Sequence, residues 1–130
     1  MRLPTTLATL TLATLTLPVL ASTALSAGAT AADRPLDCRF EAACIEAGLC
    51  TEVDRPAQLS PDGAGGGVLE LEGGSLPGVI EVEDGLWIFD GRAAGLRLIL
   101  GIAADGSARL MAMETDPLAV ATYSGRCEED

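Results

Sequence analysis

VIEVEDGLWIFD, residues 79–90, holds two short apolar runs with an Asp-Gly pair between them. In VIEVE, Ile80 and Val82 fall on one face and Glu81 and Glu83 on the other, the period-two pattern of a strand half buried against a core. Asp84-Gly85 separates this run from LWIFD by two residues, the length that joins antiparallel neighbours when glycine supplies the positive φ of a primed turn. The stretch predicts a β-hairpin. Its second arm differs from the first, because Leu86, Trp87, Ile88 and Phe89 are apolar on both faces.

The same punctuation repeats outward from this hairpin. Runs at 68–72, 79–83, 86–90, 96–102, 108–114 and 118–124 are rich in apolar residues and parted by Gly and Asp turns, the spacing of an all-β domain. Leu96, Leu98, Leu100 and Ile102 share a face opposite Arg97, and Met111 and Met113 lie opposite Leu110. Asp116-Pro117 stops the run at 108–114, since proline cannot donate to a ladder. Upstream, Leu36, Cys38, Phe40 and Ala42 alternate with Asp37, Arg39 and Glu41, which predicts a strand over 36–42. Phe40, Ala43, Cys44 and Ala47 follow helical spacing, so a short helical turn is expected over 43–49. Residues 50–59 give one more strand, which Pro56 confines to an edge or a bulge. SPDGAGGG, residues 60–67, is a flexible connection, with no Lys-Ser or Lys-Thr to make it a phosphate cradle. About eight strands suit a small antiparallel up-and-down barrel whose last strand pairs with its first. A two-sheet β-sandwich is the alternative.

The beginning of the chain has another character. Residues 7–32 carry no charge behind Arg2, the repeat LATLTLATLTL gives an apolar core, Pro18 breaks it, and Ala27-Gly28-Ala29 and Ala29-Thr30-Ala31 offer small-residue cleavage sites. We read 1–31 as a signal peptide and 32–130 as a single disulfide-stabilised β domain. A membrane anchor of roughly 20 residues is the competing reading, which the many threonines and two prolines weaken. Export makes the expected location periplasmic or secreted, with no stable membrane insertion once the signal is removed.

Cys38, Cys44, Cys50 and Cys127 all lie in the exported part, where two disulfides are the expected state. Four cysteines allow three pairings. The expected set joins Cys38 to Cys127, the start of the domain to its end, and Cys44 to Cys50.

Composition removes whole classes of chemistry. The 130 residues contain no His, Lys or Asn, and 8 Arg face 19 acids, for a formal charge of −11. Imidazole catalysis, Schiff-base lysine and a His-ligated metal are excluded. No C-x-x-C pattern is present, and no serine sits in a nucleophile elbow, so neither a catalytic residue, a metal centre nor a cofactor is expected. The charge repels nucleic acid and favours a basic protein or envelope component as partner. Glu70, Glu72, Glu81 and Glu83 lie on neighbouring runs and could gather carboxylates for calcium or acid-base work, with solvated surface the simpler reading. Arg97 and Arg109 offer an anion clamp or, more simply, surface ion pairs. Trp87, Phe89, Met111 and Met113 mark strands apolar on both sides. Either the rest of the chain covers the second face, or these four form a candidate binding surface.

DCRFEAACIEAGLC near the mature start and TYSGRC at the end resemble small uncharacterised exported proteins of alphaproteobacteria, which share an early Cys cluster and a closing Tyr-x-Gly-x-Cys-like segment. More remotely, the architecture is similar to the disulfide-tied periplasmic barrels that inhibit c-type lysozyme. That resemblance implies inhibition of a basic hydrolase. The Ser-Gly-x-x-Tyr motif of those inhibitors is absent, since Tyr123 here precedes Ser124-Gly125. The expected function is that of a non-enzymatic binding module, with a lysozyme-type inhibitor and a lipocalin-like carrier of a small apolar ligand as alternatives.

Overall fold

The computed structural model describes residues 34–45 and 48–130, and the leader read at 1–31 lies outside them. Eight strands follow in order: β1 (Leu36–Ile45), β2 (Cys50–Pro61), β3 (Gly66–Leu71), β4 (Gly74–Glu83), β5 (Leu86–Ala93), β6 (Leu96–Ile102), β7 (Ser107–Thr115) and β8 (Leu118–Glu129). Each pairs antiparallel with the next, and β8 returns to pair with β1, so the sheet closes into a barrel and is not a sandwich. Among the described residues, no helix is long and apolar enough to cross a membrane.

Local chemistry sets the turns. Asp84 and Gly85 both have positive φ, 50° and 78°, between the paired residues Glu83 and Leu86, the geometry of a two-residue primed hairpin. In the loop before β7, the Asp105 carboxylate accepts bonds from the Ser107 N–H and hydroxyl at 2.9 and 2.6 Å. These donors hold its pKa below the ordinary carboxylate value. Over 60–67 the expected flexible connection is shorter than the sequence suggests. Asp62 caps it, accepting from the amides of Ala64 and Gly66, and the flanking residues are already strand.

One local expectation is corrected. Ala43, Cys44 and Ile45 continue β1 instead of turning into a helix, and 46–47, the middle of the expected helical turn, lie outside the described residues. The helical spacing of Phe40, Ala43 and Cys44 has a different origin. Against β8 the register shifts between Phe40 and Ala42, leaving Glu41 as one extra residue in β1, which returns Ala43 to the inner face that Phe40 occupied.

The inward-facing set fills the ring. Phe40, Leu59, Leu69, Phe89 and Leu100 are fully buried, with Leu98, Ile102 and Leu110 packed among them. A ring of eight strands leaves a width that side chains can fill, and two aromatic rings need small neighbours. Gly78 and Gly91, paired across β4 and β5, supply them: a Cβ on either would come within 2.8 Å of the Phe89 ring.

Cys38 is bonded to Cys127 and Cys44 to Cys50. The first staples β1 to β8 inside the barrel, both residues being 4% exposed. The second clips the β1–β2 hairpin near its tip. Two disulfides point to an oxidising compartment outside the cytoplasm.

Candidate functional site

Trp87, Phe89, Met111 and Met113, offered either as positions on strands covered on both sides or as a candidate binding surface, do not share one face. Phe89 is completely buried, and Trp87, two residues away on the same inner face, packs against the core from the end of the barrel where β5 begins. Met111 and Met113 point outward from β7, with Met111 39% exposed. LWIFD is apolar on both sides because Trp87 and Phe89 fill the interior while Leu86 and Ile88 stand outside, the latter 42% and 37% exposed.

The outer face from β4 to β8 is nevertheless unusually apolar. Val79, Ile88, Met111 and Val120 are exposed there, and an ion pair crosses the patch. The Arg97 guanidinium donates twice to Asp90, Nε to Oδ1 at 3.1 Å and Nη2 to Oδ2 at 2.7 Å, with Arg92 4.0 Å from the same carboxylate. Arg97 therefore holds the Asp90 carboxyl below its ordinary range, and Asp90 raises Arg97 in turn. For Arg97 this engagement is the surface ion pairing offered as the simpler reading, and it leaves no anion clamp with Arg109. Arg97 pairs in register with Met113 and Arg109 with Gly101, four residues further along β6, and Arg97 is committed to Asp90.

The four glutamates are likewise spread out. Glu70 sits opposite Ser75, whereas Glu81 lies six residues further along β4, a separation of about 20 Å at the usual strand rise. Among the described residues no group of His, Cys, Asp or Glu is placed to hold a metal ion.

What the strand order does build is a mouth at one end of the barrel, called here the upper end, where β2 begins and β3 ends. A concavity of about 190 Å³ opens there. Leu71, Leu96, Leu98 and Ala112 give it apolar walls, and Glu72 and Glu114 line it with carboxylates. Arg55 lies 5.2 Å from the centre of the Tyr123 ring and donates to its hydroxyl at 3.4 Å, and Tyr123 rests on Phe40 with ring centres 6.3 Å apart. Sequence reading missed this group. Arg55, Glu72, Glu114 and Tyr123 come from four different strands or turns and meet only through barrel closure. The nearest signal was Tyr123 in TYSGRC, noted as part of a pattern without a role.

The mouth has an open side. β2 pairs with β1 from Cys50 onward, but with β3 only from Ala57, because β3 stops at Leu71. Residues 50–56 thus form an edge without a neighbour among the described residues. The 4.0 Å Cα separation of Cys44 and Cys50 marks a pair that exchanges no backbone hydrogen bonds. The peptide groups of Cys50 and, two residues on, Glu52 therefore point away from β1 toward this gap.

No family model, curated protein or solved structure matches the chain.

Proposed function

We propose that the protein is an exported, non-enzymatic binding module, acting in the periplasm or after secretion, whose outer surface and mouth engage a basic protein or envelope component. The observation that carries this reading is the filled interior. With Phe40, Leu59, Leu69, Phe89 and Leu100 fully buried, the barrel is a packed core, and its mouth of about 190 Å³ falls short of the roughly 300–1,000 Å³ of a small-molecule pocket. This weighs against the lipocalin-like carrier. A rigid, disulfide-stapled scaffold with a formal charge of −11 is suited to meeting a basic macromolecule, with the charge acting mainly on encounter rate.

The most specific form of the reading is inhibition of a basic hydrolase of the c-type lysozyme kind. The test adds the purified, oxidised protein to c-type lysozyme and follows cell-wall hydrolysis. Stoichiometric loss of activity supports inhibition, and full activity at micromolar excess removes it. Binding without inhibition, read by titration calorimetry at low and high salt, keeps the broader module and discards the inhibitor.

A further inference from the structure

We propose that the gap between β2 and β3 is the docking site, and that it receives an extended segment of a basic partner, which adds as a strand to the edge at 50–56 and lowers one long cationic side chain into the mouth. The proposal rests on the basic-partner reading above and gives it a place. Three features converge there. The peptide groups of Cys50 and Glu52 face the gap with no strand opposite them, the arrangement that strand addition uses. The Cys44–Cys50 disulfide holds this edge to β1, so little conformational entropy is lost when a partner pairs with it. The mouth beside it is of single-side-chain size, with Leu71 and Leu96 to pack an aliphatic stem and Glu72 and Glu114 to meet a cationic head.

Charge selects the occupant. Glu52 on the edge and Glu72 and Glu114 at the mouth outnumber Arg55, which is engaged with Tyr123, while Asp54 on the edge is already paired with Arg39 at 3.4 Å. An acidic strand, including that of a second copy of this chain, is repelled. An extended segment alternating apolar and Arg or Lys residues matches both edge and mouth.

The experiment measures binding of a short peptide of alternating Arg and Val, and separately of c-type lysozyme, to the oxidised protein and to three variants. Glu52→Pro removes the edge N–H without touching the ladder to β1. Glu72→Gln with Glu114→Gln neutralises the mouth. Glu81→Gln with Glu83→Gln removes the same charge at the opposite end of β4. The expected result is peptide binding that weakens about tenfold or more in each of the first two variants and stays within about twofold in the third, with unchanged melting temperatures confirming that all remain folded. Equal weakening by both glutamine pairs, with Glu52→Pro inert, shows diffuse attraction and overturns the docking site while leaving the basic-partner reading intact. So does binding of lysozyme, but not of the peptide, that is indifferent to Glu52→Pro. Binding of neither probe overturns both. A dimer of the protein alone that Glu52→Pro dissociates overturns the proposal in favour of self-pairing.

Discussion

Gly125 of β8 lies across from Phe40 of β1 so closely that a Cβ at position 125 would sit 2.6 Å from the Phe40 Cα and overlap the carbonyl oxygen of Arg39. This close approach lies beside the β1 bulge at the seam. Only a residue without a side chain fits beneath it, which gives the glycine of Tyr-x-Gly-x-Cys a physical role.

Gly125→Ala should therefore be among the most damaging single-methyl additions in the chain, with a loss of about 3 kcal/mol or more, because the obstacle is backbone that cannot rotate away. Gly101→Ala is its control. A Cβ there meets nothing within 4 Å, so the variant should be neutral or slightly more stable. Urea unfolding midpoints of the two variants check the contrast.

The two disulfides should differ in worth. In the chain-entropy model, closing the 89-residue separation of Cys38 and Cys127 stabilises by about 4 to 5 kcal/mol, and the six-residue separation of Cys44 and Cys50 by about 2 kcal/mol. Replacing each pair by alanine and comparing denaturation at equal slope tests the ordering. Equal losses contradict it.

Phe89→Ala should cost about 3 to 5 kcal/mol, since it empties the centre of the barrel above Gly78 and Gly91. Met111→Gln, on the outer face, should change stability by no more than about 0.5 kcal/mol. Thermal melts of the two variants separate interior from surface among residues the sequence grouped together.

The Asp90–Arg97 pair predicts a small acid-side dependence. The folded carboxyl titrates below its ordinary value, so its contribution is complete above about pH 4, where the unfolded group is ionised too, and is lost as pH falls through the lowered folded value. Both side chains are about a third exposed, which keeps the effect modest. Carboxyl carbon titration by NMR should place Asp90 below the ordinary 3.8 and return it toward that value in Arg97→Met. An unmoved Asp90 contradicts the pairing.

Much of the ring was legible in the sequence, for a local reason. Strand alternation and the Asp-Gly or Gly turns are nearest-neighbour chemistry, so all eight strands could be placed from runs such as VIEVE and LRLILGI. The Cys38–Cys127 staple, expected as a tie between the start of the domain and its end, is one of three pairings the spacing leaves open, and barrel closure supplies its place at the seam. What stayed hidden depends on register between distant strands. Two-sided apolarity left open which of Trp87, Phe89, Met111 and Met113 turn inward, and only the register of the closed ring separates the first two from the last two. The bulge near Glu41 passed for a helical turn because one extra residue mimics a helical offset. Arg55, Tyr123, Glu72 and Glu114 became neighbours only once β8 met β1 and β3 proved shorter than β2.

Closure of that ring is the claim on which the packed interior, the mouth and the docking edge all depend. Nuclear Overhauser spectroscopy of the oxidised protein tests it most directly, at two registered pairs of the β1–β8 seam away from the staple, Leu36 with Glu129 and Ala43 with Tyr123. Backbone contacts at both pairs are the predicted result. Their absence, with β1 or β8 instead bordering solvent or pairing elsewhere as in a two-sheet sandwich, would contradict the account.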